Sequence, residues 1–215
     1  MLMVLAGVAQ PLAAQTDSAW RASRPAQLPL AQEIALARSA APPEVSRAAT
    51  VLVRRSGRYD VASEGTNGVT CYVARSWPES IEPHCFDAEG AATILPIHLR
   101  EAELQEQGQS RAEIERDRDE GLRTGRFHLP TRPAMTYMMS SGQILFDDDG
   151  KPVGKWHPHL MIYVPYITST ALGLGEPPST KAAVVVDEGS PTANIMIVLP
   201  QFVDPEPPGS SPDPR

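Results

Sequence analysis

The sequence predicts an α+β fold: a mainly antiparallel sheet of hairpin-linked strands with a helical insertion in the middle of the chain. Two observations carry this reading. Runs of strand-favouring residues bounded by turn signals fill 49–77 and 134–199, and helix-type runs with capping signals interrupt them between 96 and 126. A chain of 215 residues, 41% of them hydrophobic, is long enough for one independent core.

In chain order, residues 1–14, MLMVLAGVAQPLAA, carry no ionisable side chain and end on small residues, so they read as a signal peptide. The run is shorter than the about 20 apolar residues that span a bilayer, and no later run approaches that length. The expected location is therefore secreted or periplasmic, with no membrane span in the mature chain. Residues 15–30, broken by Pro25 and Pro29, read as a flexible linker. A single α+β domain is expected over 31–203. It opens with a short Ala-rich helix over 31–41, stopped by Pro42-Pro43.

Residues 49–77 read as a three-stranded meander, with turns at Ser56-Gly57 and Thr66-Asn67-Gly68. In its third strand Cys71 shares a face with Val69 and Val73, while Thr70, Tyr72 and Ala74 share the other. Cys71 and Cys85 are the two cysteines of the chain, and an oxidising compartment predicts that they form a disulfide. That bridge would tie the loop PESIEPH back to the sheet. A metal site built from Cys71, His84 and Cys85 matches no strong zinc spacing.

Pro96 to Gln107 favours helix, ended by Gly108. Ser110 with Glu113 forms a capping box for a second helix, whose few apolar positions, Ala112, Ile114 and Leu122, place it on the surface. Between Ala134 and Tyr166 apolar alternation brackets a turn-rich centre, which implies two strands and at least one tight turn. Two further strand-like runs, KAAVVVDEG and ANIMIVLPQF, complete the sheet. The second is apolar on both faces apart from Asn194 and reads as a central strand. The last residues, 204–215, hold closely spaced prolines and read as a disordered tail.

The candidate site rests on strand alternation. His157, His159, Met161 and Tyr163 share one face of the later strand, and Met135, Tyr137 and Met139 share one face of the earlier one. If the strands are neighbours, these seven residues form one patch. Imidazole and thioether suit copper, and imidazole also suits zinc, so His157, His159 and Met161 are the candidate metal ligands. Met135, Tyr137, Met139 and Tyr163 are the candidate lining of a small-ligand site. A protein that binds a metal ion or small ligand is the leading expectation. Two alternatives stay open: a metal-assisted hydrolase or oxidase with His159 as ligand or base, and a structural or interaction domain without a small-molecule site. The hydrolase would need a carboxylate, and Asp87 and Asp147 to Asp149 are the candidates. A net charge of −7 argues against a nucleic-acid partner. The chain has neither a Gly-x-Ser-x-Gly elbow nor a phosphate-cradling glycine loop.

Overall fold

The structure, a computed structural model, describes residues 28–75, 80–147, 151–174 and 183–207. The expected signal peptide and most of the expected linker lie outside these residues, as do Asp148, Asp149 and the end of the tail.

Helix α1 (Leu30–Arg38) follows Pro29, and the short α2 (Pro43–Ser46) starts at the second proline of the pair, where a missing N–H costs nothing. Strands β1 (Thr50–Arg55) and β2 (Arg58–Ser63) form a hairpin. Its two-residue turn, Ser56-Gly57, has φ of 48° and 81°, the left-handed pair that matches strand twist. The expected meander stops there. Strand β3 (Thr70–Ala74) pairs with β1, in parallel, on the side away from β2.

The cause lies in the connection. Thr66 and Asn67 both donate backbone N–H groups to the Ala48 carbonyl, and the Asn67 side chain donates to the Val45 carbonyl at 2.7 Å. These bonds carry the chain past the start of β1 instead of back along β2. A Cβ on Gly65 would lie 2.1 Å from the Thr50 nitrogen, so this close crossing requires glycine.

The segment expected to be a loop before Cys85 is instead a strand. β4 (Ser80–Phe86) runs antiparallel to β3 and places Cys85 directly opposite Cys71, with the two joined by a disulfide. Three helices follow: α3 (Ala88–Thr93), α4 (Leu95–Glu106) and α5 (Arg111–Thr124). Asp87 caps α3 by accepting from the Gly90 N–H at 2.7 Å, and Ser110 with Glu113 forms a complete capping box at the start of α5.

Beyond them lie β5 (Ala134–Met138), β6 (Ile144–Phe146), β7 (Pro152–Gly154), β8 (His159–Tyr163), β9 (Val184–Val186) and β10 (Asn194–Val198). The span 134–166 thus holds four strands rather than two. The main sheet runs β2-β1-β3-β4-β5-β8-β10-β9, and β6 with β7 forms a small ribbon against the start of β4. All pairings except β1 with β3 are antiparallel, so the architecture is α+β with a mixed, mostly antiparallel sheet.

Alternation divides the core in two. Val51, Val53, Cys71, Val73 and Cys85 pack against Leu36 and Ala37 of α1. Leu52, Tyr72, Phe86 and Tyr163 pack on the opposite side against Ile94 and Leu95. Asp204–Pro207, expected to be disordered, have no regular structure but lie beside α1, with Pro205 against Gly142 and Asp204 accepting from the Ser141 hydroxyl. None of the described helices is long and apolar enough to cross a membrane.

Candidate functional site

A cavity of about 620 Å³ opens on the sheet face that carries α4. His98, Glu101, Ala102 and Gln105 line it from α4, and Arg111, Ile114, Glu115 and Arg118 from α5. Both sets follow the three- and four-residue spacing that brings side chains to one stripe of a helix. The sheet contributes Tyr72 from β3, Met161 and Tyr163 from β8, and Asn194 from β10. Residues after β9, Asp187 among them, close one side.

The floor is aromatic. Tyr59 meets Tyr72 edge-on at 5.2 Å between ring centroids, and Phe86 stacks between Tyr72 and Tyr163 at 6.1 and 6.3 Å. Burial pushes the Tyr72 and Tyr163 hydroxyls up from the usual phenol value, so both keep their protons. His98, desolvated under the same roof, is held down at about 4 and is neutral. The Tyr72 hydroxyl and His98 Nδ1 share a hydrogen bond of 3.1 Å.

Glu101 is the electrostatic exception. Burial raises its carboxyl to about 7, Arg118 opposing and Asp187 adding to the shift. Its carboxylate has no hydrogen-bond partner among the described residues. Asn194, 3% exposed, donates its amide N–H to the Thr192 carbonyl and leaves Oδ1 unpaired. The arginines beside them are engaged: Arg111 with Glu115 and Arg118 with Asp119, each at 3.1 Å.

The residues expected to form a single patch are split by the register. Met135 lies opposite Ile162 and Tyr137 opposite Leu160, whereas His159, Met161 and Tyr163 face Met138, Thr136 and Ala134. Because cross-strand partners project to the same side, Met135 and Tyr137 belong to the α1 face, and Tyr137 packs into that core. Met139 follows β5 and donates its N–H to the Ala40 carbonyl. Met161 and Tyr163 alone of the seven line the cavity.

The expected metal ligands do not converge either. His157 precedes β8 and is exposed, and its carbonyl accepts from His159 Nδ1 at 2.6 Å. His159 is buried and held below the usual imidazole value by desolvation. Among the described residues no group of three or more His, Cys, Asp or Glu side chains is placed to hold a metal ion. The candidate carboxylates have structural tasks, Asp87 at the α3 cap and Asp147 accepting from the Lys151 N–H at 2.8 Å.

Sequence reasoning missed Tyr72, His98, Glu101 and Asp187 as members of one site. Asn194, the single polar residue in an apolar strand, was the available signal. Comparison with known protein families, curated proteins and solved structures finds no match.

Proposed function

We propose that this protein binds a small organic molecule in the cavity between its sheet and α4 and α5. The observation that carries this reading is the cavity itself, about 620 Å³, with tyrosine rings in its floor and polar and charged side chains along its walls. Sites for metabolite-sized ligands span about 300–1,000 Å³ and combine aromatic surface with polar groups that fix orientation. The tyrosine rings supply apolar area, and Glu101, His98 and Asn194 supply orientation. A secreted or periplasmic location belongs to the proposal and is supported by the disulfide between Cys71 and Cys85.

Replacing Ala102 by Trp would fill the space from the α4 side. A thermal-shift screen of small organic molecules tests the reading. Compounds that raise the melting temperature of the natural protein should fail to raise that of a folded Ala102→Trp variant. If stabilising compounds act equally on both proteins, the cavity is not the site.

A further inference from the structure

We infer that the ligand is an organic ammonium, a protonated amine on an aromatic or alkyl body, with Glu101 as its counter-charge. The inference rests on the ligand-binding reading and specifies its chemistry. It follows from which charges in the cavity are already matched. Arg75 forms a fork with Glu33, Arg111 pairs with Glu115, Arg118 pairs with Asp119, and Glu188 accepts from both the N–H and hydroxyl of Ser169. Two cavity carboxylates remain, Glu101 and Asp187, and they are close enough for Asp187 to oppose ionisation of Glu101.

Two carboxylates that repel each other are both stabilised by one cation placed beside them. Asn194 adds an independent observation. It is a cavity-wall residue, almost wholly buried, whose amide oxygen lacks a donor. Together the two carboxylates and this amide oxygen favour a ligand that donates hydrogen bonds and carries positive charge. The rings of Tyr72 and Tyr163 suit the same charge, because an ammonium is drawn to the face of an aromatic ring. A bare metal ion fits less well, since among the described residues no three His, Cys, Asp or Glu side chains gather around one point.

Binding is then linked to pH. Glu101 faces Arg111, Glu115 and Arg118 from α5, Asp187 from the turn after β9, and the Tyr72 and Tyr163 hydroxyls from the sheet; His98 lies one turn before it on α4. With its carboxyl at about 7, an arriving ammonium stabilises the ionised form and displaces the proton. Affinity should therefore rise between about pH 6 and pH 8.

Calorimetric titration of the intact protein at about pH 8 with 2-phenylethylammonium, 2-phenylethanol and phenylacetate tests the inference. The ammonium should bind at least about ten-fold more tightly than the alcohol, and the acid most weakly. Glu101→Gln should remove that preference, bringing the ammonium's affinity close to the alcohol's. Asp187→Asn should weaken the ammonium by a smaller factor, since asparagine tolerates the φ of 53° found there and keeps the turn. If the alcohol equals the ammonium, or Glu101→Gln changes nothing, the cation assignment is overturned and the cavity reading stands. A preference for phenylacetate overturns it in favour of the arginines. If none of the three binds, the cation assignment is overturned, and the thermal-shift screen with the Ala102→Trp variant decides the ligand-binding reading separately.

Discussion

Glu101 ionises at about 7 in the fold and near 4.5 in an open chain, so between those values the folded protein holds a proton that the unfolded chain has released. Its contribution to stability is therefore present below about pH 4.5 and lost as the pH rises through 7. Glu101→Gln removes the titration. The variant should match the natural protein at about pH 5 and exceed it at about pH 8 by about 1–3 kcal/mol, as measured by urea unfolding. An unpaired acid kept at such a cost on a cavity wall supports the ligand-binding proposal. His84 is of the opposite kind. It is 4% exposed, neither ring nitrogen has a partner, and burial with His98 and His159 nearby holds it well below the usual imidazole value. It serves as a neutral aromatic, with its ring 5.5 Å from Tyr72 and 5.9 Å from Phe86.

At the scale of elements, α1 is held to the end of β3 by a buried fork in which both Arg75 Nη atoms reach the two Glu33 oxygens at 2.7 Å. Breaking such a pair from one side leaves an uncompensated charge. Arg75→Met should cost about 3–5 kcal/mol in chemical denaturation, and adding Glu33→Gln should restore much of the loss. The disulfide closes a separation of 14 residues between neighbouring strands, and Cys71→Ala with Cys85→Ala should cost about 2–4 kcal/mol. These elements also show what was readable beforehand. The capping box of α5, the Ser56-Gly57 turn and the two faces of β3 are written in local residues, and each is found where local chemistry puts it. The parallel return of β3 depends on Gly65 passing close to Thr50, a tertiary contact with no local signature. The split of the methionine and histidine stripe likewise depends on register: a one-residue slip between β5 and β8 would have moved Met135 and Tyr137 to the cavity side.

For the whole molecule, three buried or part-buried imidazoles oppose one carboxyl. His84, His98 and His159 are all held below 6.5 by desolvation, so the unfolded chain takes up protons that the fold refuses as the pH falls. The stability they contribute is complete above about pH 6.5 and lost on acidification, His98 alone accounting for about 3 kcal/mol by about pH 4. Glu101 acts in the other direction, and three groups outweigh one. The melting temperature should therefore peak near pH 6.5–7 and fall steeply towards pH 4, which calorimetric scans across pH would measure. The same sheet that buries these rings separates two faces, one against α1 and one opening on the cavity, and the methionines report on each. Methyl NMR of protein labelled at methionine, titrated with 2-phenylethylammonium, locates the bound cation. The Met161 methyl should shift on binding while that of Met135, on the opposite face, stays still. A shift at Met135 with Met161 unmoved would contradict that location.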